Sequence, residues 1–247
     1  MFKNVISLGF YCEVAKELER VGLRSASYPF DWLISSWSGV EQMIDTAFQD
    51  FLKYDDLYQY EKEPEKYLNF SKQLSFFHDF KKNKPLAEQM TEVKKKYERR
   101  IQRFYKDIKS PTLFIRYIES VEETEFWKSN YDIVLSKLQS FNKENQLWII
   151  NVFDPNYKND TVFYVKPDTN DYIARHLFLE KIPELKNKLI SDDIFDKNKR
   201  NENLLRYNAK QRKKRSLKYR IDRKIKEIKD KYTPREKYYI HEKIYRE

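Results

Sequence analysis

Short apolar runs that alternate with longer stretches of helical period leave this chain few folds to choose from. Residues 5–10 (VISLGF) form a compact run that opens on β-branched side chains. Residues 13–21 follow at once, with Val14, Leu18 and Val21 on one helical face and Ala15 beside them. The change of period recurs. Residues 112–118 (TLFIRYI) read as a strand before a helix at 122–141, and residues 147–153 (LWIINVF) and 161–167 (TVFYVKP) read as further strands. Strands interleaved with helices of roughly ten residues or more predict a layered α/β fold, its sheet mostly parallel and flanked by helices. Residues 27–36 (SYPFDWLISS) are expected as a loop entering a short apolar helix, and residues 40–52 as a second amphipathic helix. Residues 68–80 read as a hairpin-like segment that leaves a mixed sheet open. A long charged helix is expected at 86–108 after Pro85, and a helix broken near Pro183 at 171–189.

Composition then limits the chemistry. One cysteine in 247 residues allows no internal disulfide and no cysteine-based zinc site, and a free thiol suits a reducing compartment. The reading calls for no metal and no cofactor. No basic-then-apolar leader opens the sequence, and no run approaches the ~20 apolar residues of a membrane span, so the expected location is the cytoplasm. Charge is uneven: residues 197–247 carry 20 Lys and Arg against 7 Asp and Glu, whereas residues 1–196 carry 29 against 32. The formal net charge of +10 therefore belongs to the tail. The expected organisation is an α/β domain over 1–196 and a basic helical appendage over 197–247, where Leu217, Ile221, Ile225 and Ile228 form a narrow apolar stripe. Such a helix suits the anionic inner face of a membrane; nucleic acid ranks behind it, because no nucleic-acid module is recognisable.

The lone cysteine sits close to two of the three glycines, Gly9 and Gly22. The C-terminal end of a parallel strand delivers the chain to the functional edge of its sheet. The next element is the helix, which puts Cys12 at or just before its first turn, where backbone amides and the positive end of the dipole favour a thiolate. Gly9 lets the backbone turn tightly or approach a bound group, and Gly22 sits where a helix cap belongs. The expectation is a nucleophile elbow with amides placed to hold an oxyanion. The plainer alternative makes Cys12 a small buried apolar residue.

The stretch SLGFYCEVAKELERVGLRSASYPFDWLISS resembles the opening of the bacterial DUF1796 family of papain-like cysteine peptidases. The matching pieces are Ser7-Leu8-Gly9 at the strand end, Cys12 three residues after the glycine, the Gly22-Leu23-Arg24 turn and the Tyr28-Pro29-Phe30-Asp31-Trp32 box. His78-Asp79-Phe80 and Phe114-Ile115-Arg116 also suit that family, and the resemblance spans roughly residues 4–153 and leaves the tail outside. It implies a Cys–His hydrolase or acyltransferase acting on a small-molecule, glycan or acyl substrate, in a setting of surface-polysaccharide metabolism.

A neutral imidazole near pH 7 is the natural base for a thiol. His78, in SFFHDFK, is the first candidate; His176 competes with it, and His241 in the tail is set aside. In a strand Asp79 would point away from His78, so Asp31 is expected to orient the imidazole, with a helix N-cap as its alternative role. Arg24 and Arg116 are anion-binding candidates. Arg116 lies inside an apolar strand and needs a partner there: a ligand's carboxylate or phosphate, Asp31, or a structural acid. Trp32, like Trp37 and Trp148, reads as core or pocket wall. The candidate site is thus catalytic Cys12, His78 and Asp31, with Gly9, Arg24, Trp32 and Arg116 against the substrate. The second reading is a non-catalytic module that binds an anion or sugar phosphate and carries a tethering tail.

Overall fold

The computed structural model describes residues 1–82, 84–118, 120–166, 177–216, 220, 221 and 224. Strand β1 (Asn4–Ser7) leads into helix α1 (Cys12–Arg20). A 3-10 turn at Pro29–Trp32 follows, then β2 (Leu33–Ser35) and α2 (Trp37–Asp45). Three short strands, β3 (Tyr58–Gln59), β4 (Tyr67–Asn69) and β5 (Leu74–Phe76), precede the long α3 (Leu86–Asp107). The chain then alternates through β6 (Thr112–Tyr117), α4 (Val121–Gln139), β7 (Gln146–Asn151) and β8 (Val162–Tyr164). Helices α5 (Phe178–Lys181), α6 (Pro183–Ile190) and α7 (Lys197–Arg215) come last. The larger sheet is parallel throughout, in the order β1-β6-β7-β8. The smaller one is antiparallel, in the order β2-β5-β4-β3, and fills the long connection from β1 to β6.

Alternation along the strands divides the core between the two faces of the parallel sheet. Val5, Leu113, Ile115, Tyr117, Trp148 and Ile150 pack with Val14 and Leu18 of α1 and with Leu179, Leu185 and Leu189 of the late helices. Ile6, Phe114, Leu147 and Ile149 face the other way, onto Phe104 of α3, Trp127 and Leu138 of α4 and Phe76 of the small sheet. Helix α1 ends as its sequence demands. Gly22 takes φ +80°, and the amides of Gly22 and Leu23 reach back to the carbonyls of Glu19 and Leu18, a Schellman closure that only a residue without Cβ adopts cheaply.

Two local expectations are corrected. Residues 27–36 do not enter a helix directly. They form the 3-10 turn and then β2, which pairs Leu33 with Phe76 and Ser35 with Leu74. Three residues carry no readable period, and it is the partner strand that decides their form. The helix expected at 40–52 is shifted. Ser36 Oγ caps α2 by accepting from the Gly39 amide at 3.0 Å, and the helix stops at Asp45. Beyond it Ala47 and Phe48 take positive φ, turning the chain so that Phe48, Phe51 and Leu52 enter the core. Of the helix expected at 171–189, residues 171–176 lie outside the described residues, as do Leu217, Ile225 and Ile228 of the tail stripe; Pro183 occupies the first position of α6, where its missing N–H costs nothing.

The chain forms two compact units, Met1–Asn203 and Leu204–Glu247. The first includes the start of α7, where Asn203 Nδ2 donates to the Gly22 carbonyl at 2.9 Å and Lys199 Nζ to the Lys3 carbonyl at 2.8 Å. In the second, the remainder of α7 carries exposed Arg206, Lys210, Arg212, Lys213, Lys214 and Arg215. Among the described residues, no helix is long and apolar enough to cross a membrane.

The C-terminal edge of the parallel sheet is organised around Arg116, which is 0% exposed. Its Nε and Nη2 each donate at 2.8 Å to the Glu123 carboxylate, its Nη1 donates to the Leu8 carbonyl at 2.9 Å, and its Nη2 donates to the Ser35 carbonyl at 3.0 Å. Glu123 stands in the first turn of α4, where its amide is capped by Ser120 Oγ, and it also accepts from Trp127 Nε1 at 2.8 Å. One guanidinium thereby joins the ends of β1 and β2 to the start of α4. Gly9 lies against it, with φ +86°. A Cβ there would stand 2.4 Å from Ser35 Oγ and 3.0 Å from Arg116 Nη1.

Removing one member of a buried, hydrogen-bonded ion pair leaves the other charge stranded. Arg116→Met is therefore expected to cost about 3–5 kcal/mol in denaturant unfolding, and the Arg116→Met/Glu123→Met double variant to cost clearly less than the two singles together. Gly9→Ala combines a disfavoured backbone with a close contact, and about 2–4 kcal/mol is expected. Adding Ser35→Ala should return only the contact portion, measured on the same denaturation curves.

Candidate active site

Cys12 is the first residue of α1, half-buried, four residues beyond the point where the parallel ladder from Leu8 to Ile115 closes. Tyr11, extended at the N-cap, offers no side-chain cap to this end of the helix. Its ring packs instead edge-on against Tyr117, 5.3 Å between centroids, and against Phe10 at 4.6 Å. The backbone just before it is stitched to both sheets: the Tyr117 amide donates to the Gly9 carbonyl at 3.1 Å and the Ser35 amide to the Phe10 carbonyl at 2.8 Å. These contacts fix where the nucleophile candidate begins its helix.

Two charged side chains of the same turn surround the sulfur. The Cys12 thiol lies 3.9 Å from Glu13 Oε1, and Lys16 ion-pairs with that same oxygen. Lys16, one turn after Cys12, lies close enough to act on the sulfur both as a charge and as a donor. Neither residue is singled out in the sequence reading. The available signal was the spacing C-E-x-x-K at a helix start, which puts a cation at i+4 from the cysteine.

His78 follows β5 by two residues and is exposed at the rim of the small sheet. It is held there by its neighbours. The Asp79 carboxylate turns inward, ion-pairs with Lys96 and accepts from Tyr97 OH at 2.9 Å, both on α3. Phe80 is buried against Tyr67 and Phe76. The imidazole stands edge-on to Trp32 at 6.0 Å, and the Arg24 guanidinium lies 5.6 Å from the same indole. After desolvation, the Lys16 charge disfavours the His78 imidazolium and the Glu13 charge favours it.

Asp31 takes a different route from the direct one expected. It is 1% exposed, and its Oδ2 accepts from Arg24 Nε at 3.0 Å, Arg24 Nη2 at 2.8 Å and the Tyr28 amide at 2.9 Å. Those are its hydrogen-bond partners among the described residues, and His78 is not one of them. Asp31 fixes Arg24, and Arg24 lies over the indole that meets His78. The box Pro29–Trp32 thus positions the histidine's wall. Arg116 is likewise turned to structural partners, Glu123 foremost, with its guanidinium enclosed. Gly9 abuts that guanidinium rather than a cavity. His176 and His241 lie outside the described residues. Among the described residues, no group of three or more His, Cys, Asp or Glu is arranged to hold a metal ion.

The protonation states define what this arrangement can do. Burial pushes the Cys12 thiol above its ordinary value of 9.0; Lys16 pulls it down and Glu13 pushes it up. The expected thiolate is therefore not the resting form, because desolvation outweighs the nearby cation. His78 keeps a solvent-facing edge, but desolvation of its enclosed side, with the Lys16 charge next, pushes the imidazole below its ordinary 6.5. At pH 7 the sulfur therefore rests as a thiol and the His78 imidazole as the free base. Among the described residues the thiol's side-chain hydrogen bond runs to Glu13 and not to His78.

The family model described as Putative papain-like cysteine peptidase (DUF1796) matches residues 3–152, a span that contains Cys12, Glu13, Lys16, Asp31, His78 and Arg116. No curated protein and no solved structure matches the chain.

With a single cysteine in the chain, alkylation reports on Cys12 alone. The rate of modification by iodoacetamide is expected to climb with pH and to reach its midpoint above that of an unperturbed thiol. The His78 ring protons, followed by NMR, should titrate below 6.5, because the folded environment resists the imidazolium. A Cys12 midpoint below the ordinary value would contradict the dominance of burial.

Proposed function

This chain belongs to the Putative papain-like cysteine peptidase (DUF1796) family, and from that premise we propose that it is an acyl-transfer enzyme with Cys12 as nucleophile and His78 as base. The observation that carries the reading is the setting of one thiol. Cys12 opens α1 at the C-terminal edge of a parallel sheet, beside a lysine whose charge also bears on the free-base imidazole of His78. In the reaction the S–H bond breaks as the sulfur bonds to an acyl carbon, and His78 takes the proton. It returns that proton to the departing oxygen or nitrogen as the tetrahedral adduct collapses to a thioester. Water then releases the acyl group as an acid; a glycan hydroxyl in place of water makes the same intermediate an acyltransferase. The surface-polysaccharide setting implied by the family resemblance supplies hydroxyls of that kind. Trp32 and Arg24 lie on the His78 side and form the wall an acyl donor would meet. The reading as a simple anion-binding module finds less support, since the guanidinium of Arg116 is occupied by Glu123.

The test uses p-nitrophenyl acetate as a generic donor and intact mass to detect the product. One acetyl group on Cys12 is expected, none on Cys12→Ser, and acylation slowed by about 100-fold or more in His78→Ala. Unchanged acylation of His78→Ala removes His78 from the role of base. An esterase burst that leaves Cys12 unmodified removes the nucleophile.

A further inference from the structure

Glu13 is a carboxylate with only 5% of its surface exposed, on a helix turn that faces the sulfur. A buried carboxylate requires a partner, and Lys16 supplies it in the favourable order, acid before base and three residues apart. The lysine side chain is itself 42% exposed. Left alone, such a chain would spread over many rotamers in water. Anchored to Glu13, its ammonium is held on the face it shares with Cys12, one turn along α1.

We propose that Glu13 and Lys16 form a positioning pair for the Cys12 nucleophile, in which Glu13 anchors the Lys16 ammonium as the counter-ion of the thiolate formed during attack. This rests on the reading of Cys12 as a nucleophile and extends it from proton removal to charge stabilisation. His78 removes the proton; Lys16 meets the negative charge that remains on sulfur. The other ionisable groups on the elements around this turn have partners of their own, beginning with Glu17 and Arg20 on α1, which pair with each other. Arg24 and Asp31 of the adjoining turn neutralise each other, Arg116 of β6 is paired with Glu123, and Tyr117 of β6 packs by its ring against Tyr11. Asp79 is paired with Lys96, and Lys66, whose charge reaches His78, is paired with Glu63. The pair also acts on His78, where the Lys16 charge opposes protonation and keeps the base free.

The experiment measures the pH midpoint of Cys12 alkylation and the thermal melting of the full chain in three variants. Lys16→Met is expected to raise the midpoint by about 1 pH unit, because the cation is lost. Lys16→Arg should restore most of that change. Glu13→Gln should also raise the midpoint, by less than Lys16→Met does, because the released cation is the larger influence on the sulfur and the lost anion the smaller. Loosening of the helix would instead expose the sulfur and lower the midpoint, since burial is what raises it. An unchanged midpoint in folded Lys16→Met, or a midpoint below that of the unmodified chain in Glu13→Gln, overturns the proposal. If Lys16→Met fails to melt cooperatively, Lys16→Gln takes its place. These midpoints need no acyl-enzyme, so they fail or succeed independently of acetylation by p-nitrophenyl acetate.

Discussion

A guanidinium with no access to water has to be surrounded by acceptors, and the way Arg116 meets that demand shapes the end of the sheet. Its donors are shared among a carboxylate on α4, a carbonyl leaving β1 and a carbonyl at the end of β2. Losing any of these would leave a buried polar group unsatisfied. The charge is therefore a geometric constraint more than a source of net stability, since a buried pair gains little over an apolar substitute. What it secures is that two sheets and a helix end meet at one point. Gly9 is part of that solution: the chain must pass so near the guanidinium and Ser35 that no side chain fits, and it must turn through positive φ to reach α1.

From that junction the two halves of the candidate site follow by different paths. The sulfur comes from the parallel sheet, carried a few residues past β1 to the start of α1. The imidazole comes from the antiparallel sheet, displayed at the rim because Asp79 and Phe80 on its far side are pulled into the interior. The imidazole borders the 3-10 turn, whose Asp31 holds Arg24 and whose Trp32 meets His78. The residue types expected at the site are all present in this region, but the links among them run through aromatic rings and a clamped arginine rather than through a direct chain of carboxylate, imidazole and thiol.

Much of this architecture was readable in the letters. The alternation of strand and helix periods marked out the parallel sheet, the Pro85 boundary marked α3, and Gly22 marked the end of α1. The local rules behind these features act over a few residues, and tertiary packing agrees with them. Elsewhere packing decides. Residues 33–35 become a strand only because Phe76 and Leu74 lie opposite them. Residues 46–52 leave the helix because their aromatic and aliphatic side chains are worth more in the core than on a continued helical face. The partner of Arg116 was the hardest to read. Glu123 sits in the capping signature Ser120-x-x-Glu123, which points to a bond back to the helix start, yet its carboxylate turns to the strand instead. Glu13 and Lys16 are hard to read for a related reason: on an amphipathic helix, charged residues look like solvated surface until the burial of one of them is known.

That division between the sheets bears on how such a site can diversify. The thiol is rooted in the most constrained part of the molecule, where backbone, glycine and guanidinium leave no slack. The histidine and its aromatic wall hang from an insertion of short strands and turns; Phe76 and Phe80 tie that insertion to the core, while its exposed rim can change at less cost. A lineage built this way can resculpt the surface around the Cys12 thiol while the sulfur itself stays where it is.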